Sequence, residues 1–126
     1  MIKTIFTESD KEIKLSNAAA FLLVYKQQFK REPLKDIMEI SKKMEVVDQE
    51  NSNDLVANMD LEVVYNLAWA LAKTANYSKV SDPISFYIEN EDFKPIEHID
   101  TIISMALTSI SPDFEIDIEK GSEEKN

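Results

Sequence analysis

Gly121 is the only glycine among the 126 residues of this chain. Average proteins contain about 7% glycine. Tight hairpin turns and phosphate-binding loops depend on this residue, because it adopts positive φ at little steric cost. A chain almost without glycine has few means of building a large antiparallel sheet. We therefore predict a mainly α-helical protein.

The composition also excludes several kinds of active site. The chain has no cysteine and one histidine, which rules out disulfides, thiolate zinc sites, a cysteine nucleophile and a histidine-pair metal site. Its 14 basic and 24 acidic residues give a net charge of −10, which disfavours binding to nucleic acid and to anionic membranes. Hydrophobic residues make up 44% of the chain, enough for one core at this length. We expect a single domain that is not an enzyme and holds no cofactor or metal.

The hydrophobic runs are too short for a membrane segment. The longest, Ala18 to Tyr25, has eight residues, whereas a helix needs about 20 to span a bilayer. The first residues reach Glu8 and Asp10 before any hydrophobic stretch, unlike a signal peptide. We expect a cytoplasmic protein.

The N-terminus has the pattern of a short β-hairpin. Ile2 to Phe6 and Lys11 to Leu15 alternate weakly between apolar and polar residues, and the polar stretch Thr7-Glu8-Ser9-Asp10 separates them. Two strands alone are not stable in water, so the hairpin must pack on helices.

Capping residues and prolines mark the starts of five predicted helices. These helices run from the caps Ser16 and Asn17 to about Phe29, from Pro33 to near Glu45, from the cap Asp60 to Ala75, from Ser81-Asp82-Pro83 through Ile88, and from Pro95 to Ile110. Asn76 is predicted to end the third helix in the left-handed conformation. The first half of the first helix is apolar on every side, so we predict that it is the most buried helix.

We predict a helical domain with an N-terminal hairpin over residues 1–112 and a flexible acidic tail over residues 113–126. The tail alternates as Phe114-Glu115-Ile116-Asp117-Ile118, which could also form a strand that docks on a partner's sheet. Residues 46–58 form a polar connection. Asp48 to Asp54 resemble a calcium loop, but the sixth position is Asn53 and the twelfth is Met59, so a solvated acidic loop is favoured.

Three other features could carry chemistry or binding. His98 has no nucleophile or metal cluster coupled to it in the sequence, so a surface histidine is favoured over a general base. Trp69 lies beside the apolar stripe of the third helix, where a core position is favoured over a partner contact. The segment from Lys26 to Lys43 has a net charge of +3, and pairing with nearby acids is favoured over nucleic-acid binding.

Two blocks of residues resemble a known family. They are Tyr25-Lys26-Gln27-Gln28-Phe29 followed by Pro33-Leu34-Lys35-Asp36-Ile37, and Leu67-Ala68-Trp69-Ala70-Leu71-Ala72-Lys73-Thr74-Ala75-Asn76. Together with the order of the elements over residues 1–110, they are similar to the tail assembly chaperones of long-tailed phages and prophages of Gram-positive bacteria. The family often has glycine where this chain has Lys30, so the turn after the first helix is expected to lose its left-handed stop and to differ. It also often has aspartate before the proline and at the end of the second block, where this chain has Glu32 and Asn76.

The resemblance implies a non-enzymatic protein that binds the tape measure protein in the host cytoplasm, supports polymerisation of the tail tube protein, and is absent from the mature virion. It implies no nucleic-acid or membrane partner, and self-association is possible. A helical domain can cover the apolar face of a partner helix with methionine and aromatic contacts. The candidate contact residues are Met38, Met44, Met59, Tyr65 and Trp69. The alternative is a small acidic regulator that occupies a basic partner, as antirepressors and nucleic-acid mimics do.

Overall fold

The computed structural model describes residues 1–46 and 60–111. Four features of the sequence analysis lie outside the described residues: the polar connection, the calcium-like loop, the acidic tail and the candidate residue Met59. The first residue of the connection, Val46, is described and ends a helix.

The predicted N-terminal hairpin is confirmed. Strand β1 (Ile2–Phe6) pairs antiparallel with strand β2 (Glu12–Ser16), so that Thr4 lies opposite Lys14. In the connecting turn, the Asp10 N–H donates to the Thr7 carbonyl at 2.9 Å, and Asp10 adopts a positive φ of 65°. Aspartate tolerates this left-handed conformation better than most residues, so the turn forms without glycine.

The fold is mainly α-helical, as predicted. The helices of the described residues are α1 (Ala20–Phe29), α2 (Pro33–Val46), α3 (Leu61–Ala75), α4 (Pro83–Glu89) and α5 (Ile99–Ile110), with a 3-10 turn (Pro95–His98) before α5. Each start lies within a few residues of its predicted place, because prolines and capping side chains act locally. The last helix differs in one respect, since its first turn is 3-10 and not α.

Helix α3 forms the centre of the core. Strand β2 and helix α1 pack on it, and α5 packs against both α3 and α2. Its buried residues are Val63, Val64, Leu67, Ala68, Trp69, Ala70, Leu71 and Ala72. The prediction that the first helix is the most buried is wrong, because only Phe21 and Tyr25 of α1 are buried and Leu23 is 69% exposed. Helix α1 covers one side of α3 and has its other side in solvent.

Two of the predicted caps are confirmed and two are wrong. Asp60 accepts from the Val63 N–H and Asp82 accepts from the Ser85 N–H, both at 3.3 Å. Ser16 instead ends β2, and α1 begins after Ala19, whose side chain makes no capping hydrogen bond. The predicted second cap, Asn17, is buried and binds α5: its Nδ2 donates to the Thr108 Oγ1 at 2.6 Å and to the Met105 carbonyl.

Besides Asp10, Lys30 is left-handed in the described residues. Asn76 ends α3 as predicted, but the prediction that it does so in the left-handed conformation is wrong. Asn76 ends α3 with φ −149° and ψ 67°, whereas Lys30 ends α1 with φ 56° and its N–H bonded to the Lys26 carbonyl. The expected loss of the left-handed stop after α1 is therefore wrong as well. A lysine with positive φ carries a cost in backbone strain that a glycine would avoid.

Replacing Lys30 by glycine is expected to raise the free energy of unfolding by about 0.5–1 kcal/mol, because glycine adopts positive φ without a Cβ clash. Chemical denaturation monitored by circular dichroism measures this. Gln28→Gly, inside α1, is the matched control and should destabilise the protein by a similar amount. Equal destabilisation by both variants would contradict the assignment of strain to Lys30.

Helical spacing in the sequence predicts a mostly apolar stripe on α2, formed by Leu34, Ile37, Met38, Ser41 and Met44, and three apolar residues on α4, which are Ile84, Tyr87 and Ile88. The structure confirms each pattern only in part. In α2, the stripe residues Ile37, Met38, Ser41 and Met44 are buried or half-buried, but Leu34 is exposed and the fully buried Ile40 was not predicted. In α4, the buried residue is Phe86, while two of the three apolar residues of the pattern lie in solvent. These two are Ile84 and Ile88.

Candidate functional site

The first motif block builds a buried polar cluster between α1 and α2. The Asp36 carboxylate, on the first turn of α2, is buried and accepts from the Tyr25 hydroxyl at 2.6 Å. Arg31 closes the other side with a bidentate pair, Nε to Oδ2 at 2.7 Å and Nη2 to Oδ1 at 2.8 Å. Every oxygen of the carboxylate therefore has a donor, which is the condition for burying a charge.

The electrostatics of this cluster keep Asp36 ionised. Hydrogen bonding from the Arg31 guanidinium lowers the pKa of the Asp36 carboxyl, and the Tyr25 hydroxyl adds to that effect. Burial raises the pKa of Tyr25, and its hydrogen bond to the carboxylate raises it further. A permanently charged arginine and a neutral tyrosine around one carboxylate form a fixed structural link, without a proton to exchange near neutral pH.

Aromatic contacts connect the first motif block to the second. The Phe29 ring packs against Tyr25 at a centroid distance of 5.0 Å and edge-on against Trp69 at 5.5 Å. The Trp69 indole is 2% exposed, and its N–H donates to the Ser81 carbonyl at 2.9 Å. The favoured interpretation of Trp69 as a core residue is confirmed.

The end of the second block holds the loop that leads to α4. The Lys73 ammonium donates to the Val80 carbonyl at 2.6 Å and lies 4.5 Å from the centre of the exposed Tyr77 ring. Thr74 bonds back to the Ala70 carbonyl. The motif residues of both blocks therefore hold α1, α2, α3 and the loop before α4 in contact with one another. This structural role accounts for the spacing of the motif residues.

An exposed apolar surface lies where α3 meets α4, and we name it the α3–α4 surface. It is formed around the half-buried rings of Tyr65 and Tyr87, which contact each other in a tilted arrangement with centroids 4.9 Å apart, and the Tyr87 hydroxyl donates to the Tyr65 carbonyl at 2.6 Å. The exposed residue Leu61 lies one turn before Tyr65. On α4, Ile84 and Ile88 are 74% and 69% exposed and share one helix face because they are four residues apart.

Two further sequence candidates, Met38 and Met44, lie on α2. Met38 and Met44 of α2 are half-buried and pack against the core, with the exposed Leu34 one turn before Met38. Of the four candidates within the described residues, Tyr65 is the one that belongs to the α3–α4 surface. The sequence pattern named Ile84 and Tyr87 only as residues of a short helix, since nothing local shows that they meet α3.

The other predicted features have ordinary positions. The His98 ring is half-buried at the end of the 3-10 turn and packs against Phe93 at 6.0 Å. In the basic segment, Lys26 pairs with Glu32 at 2.7 Å and Arg31 with Asp36, so the predicted pairing with nearby acids is confirmed for these two. Within residues 1–46 and 60–111, no three acidic or histidine side chains are grouped as metal ligands would be. No helix in these ranges is both long and apolar enough to cross a bilayer.

Comparisons with protein-family models, with curated proteins and with solved structures found no match for this chain. The resemblance to tail assembly chaperones accordingly stays a prediction based on the two motif blocks.

Proposed function

We propose that this protein is a tail assembly chaperone of a long-tailed phage or prophage, which binds the tape measure protein and catalyses no reaction. The observation that carries the proposal is the α3–α4 surface. Two large aliphatic side chains at i and i+4 of a short helix are left in solvent next to a pair of tilted tyrosine rings. Large apolar side chains exposed together on one face of a folded domain favour a binding site for another polypeptide.

The chemistry of this surface suits an amphipathic helix. A tape measure protein presents long amphipathic helices, and such a helix can lay its apolar residues against Ile84, Ile88 and Leu61 while the tyrosines supply flat contact area. The tyrosine rings are already held by each other and by a hydrogen bond, so little ordering is required on binding. The net charge of −10 would keep the complex in solution.

The rest of the proposal follows the motif resemblance. Binding takes place in the host cytoplasm, precedes or accompanies polymerisation of the tail tube protein around the tape measure protein, and ends before the virion is complete. The two motif blocks support this assignment because Tyr25 and Phe29 of the first block and Trp69 of the second form one contact cluster.

A double substitution on α4 tests the binding surface. Ile84→Asp with Ile88→Asp is expected to weaken capture of the tape measure protein encoded near this gene by at least about tenfold, because two exposed apolar contacts are replaced by charges. Co-expression followed by affinity capture, and titration of the purified pair, measure this. Circular dichroism should be unchanged, because both side chains are exposed.

Leu23→Asp is the matched control, because Leu23 is as exposed as Ile88 but lies on α1, away from α4. It should bind like the wild type. Failure of the wild-type protein to bind any nearby tape measure protein would contradict the proposal. Steep loss of binding between about 50 mM and 500 mM salt would instead favour the acidic regulator, because charge mimicry is screened by salt and apolar contact is not.

A further inference from the structure

The hairpin has an unpaired edge. Strand β1 pairs on one side with β2, and within the described residues no backbone group pairs with its other side. Two hydrogen bonds at the ends of the strand pair fix which backbone groups of β1 point toward β2. The Asn17 N–H donates to the Met1 carbonyl, and the Thr7 N–H donates to the Lys11 carbonyl. Because bonded and non-bonded pairs alternate, Ile2, Thr4 and Phe6 direct their N–H and C=O groups away from β2.

The same three residues place their side chains on the outer face of the hairpin. Side chains alternate along a strand, and the buried β2 residues Ile13 and Leu15 lie opposite Ile5 and Lys3. Ile2 is 65% and Phe6 is 57% exposed. An edge of this type, apolar and unpaired, normally pairs with another strand or carries protective charges, and the charge of β1, Lys3, is not on this outer face.

We propose that β1 pairs antiparallel with β1 of a second copy of this chain, centred on Thr4, to give a four-stranded sheet across a twofold axis. In this register Ile2 lies opposite Phe6 of the second copy and Thr4 lies opposite Thr4. Ile2, Thr4 and Phe6 then all lie in hydrogen-bonded pairs with the second copy. A register shifted in either direction pairs fewer of these three residues. Aliphatic–aromatic and Thr–Thr neighbours are favourable cross-strand pairs.

The charges of the strand agree with this register. Lys3 lies opposite Ile5 of the second copy and not opposite Lys3, so no like charges face each other across the axis. The edge lies on the hairpin and the α3–α4 surface lies on α3 and α4, so the inference is independent of the proposed function. A dimer of this form would carry two copies of the α3–α4 surface.

A charge exchange at Thr4 tests the pairing, because this residue faces itself. Sedimentation velocity of the wild type, from about 1 µM to about 500 µM, is expected to show a monomer–dimer equilibrium. Thr4→Lys alone and Thr4→Glu alone should each weaken the dimer by at least about tenfold, since like charges would lie directly opposite. An equimolar mixture of the two variants should form a heterodimer at least as tight as the wild-type dimer.

Thr4→Val is the matched control and should dimerise like the wild type, because it keeps the backbone N–H and adds no charge. The exposed position of Thr4 allows all of these variants to fold, which circular dichroism checks. A wild type that stays monomeric at the highest concentration overturns the proposal. So does a dimer that persists in both charged variants, or a mixture that fails to restore it.

Discussion

Replacing Trp69 by alanine should lower the free energy of unfolding by about 3–5 kcal/mol, the usual cost of removing a buried aromatic side chain. The indole is 2% exposed and forms the contact between Phe29 of α1 and the loop before α4, where its N–H bonds to the Ser81 carbonyl. The variant leaves a cavity next to α3 and an unbonded carbonyl. Urea denaturation followed by circular dichroism measures the change.

Trp69→Phe separates the two contributions. It keeps most of the ring packing and removes the N–H donor, so its cost should be clearly smaller than that of Trp69→Ala. A loss below about 1 kcal/mol for the alanine variant would contradict a core role for this residue and would return it to the list of partner contacts.

Replacing Asp36 by alanine should cost about 2–3 kcal/mol, because it leaves the buried Tyr25 hydroxyl without an acceptor. Arg31 contributes less to this cost, since its side chain is 51% exposed and can turn to water. The effect should also depend on pH. The folded-state pKa of Asp36 is lowered from 3.8, so its stabilisation is present above about pH 4 and is lost as the pH falls further.

A double-mutant cycle and a pH series check this expectation. Tyr25→Phe combined with Asp36→Ala should cost less than the sum of the single variants, by about 1 kcal/mol, because each single change removes the same hydrogen bond. The free energy of unfolding of Asp36→Ala should decline less between pH 5 and pH 2.5 than that of the wild type. Additive single costs, or parallel pH curves, would contradict the proposed link.

Local signals in the sequence predicted the elements of this fold well. Pro33, Pro83 and Pro95 begin helical segments because each fixes φ near its helical value and needs no intrahelical donor. Asp60 and Asp82 cap their helices through contacts three residues away. Such features act within one turn of the chain, so a sequence pattern is sufficient to read them.

Features that depend on distant partners could not be read in this way. Asn17 resembles a helix cap, yet it bonds to Thr108, 91 residues later. The apolar pattern of α1 suggested full burial, but in the described part of the chain α3 and α2 pack on its inner side, and Leu23 on its outer side is exposed. The handedness of the stop after α1 was also misjudged, because the path of the chain into α2 imposes positive φ on Lys30 despite its side chain.

The candidate surface was predicted only at one point. Tyr65 was a candidate because it is an aromatic residue of a helix. Its contact with Tyr87 could not be predicted, because the sequence does not show how the loop between α3 and α4 brings the two rings together. Ile84 and Ile88 have the spacing of a buried face, and no sequence signal distinguishes such a face from an exposed one. Packing between elements decides this, so the surface is a result of the structure.

The N-terminal hairpin and the residue that follows it are held by hydrogen bonds to residues much later in the chain. Asp92 accepts from the Ser9 N–H at 2.9 Å and from its hydroxyl, and Asn17 holds Thr108 of α5. During synthesis on the ribosome, both anchors emerge long after the strands themselves. These hydrogen bonds therefore form only when nearly all of the described domain has left the exit tunnel, later than the packing of β2 on α3 can begin.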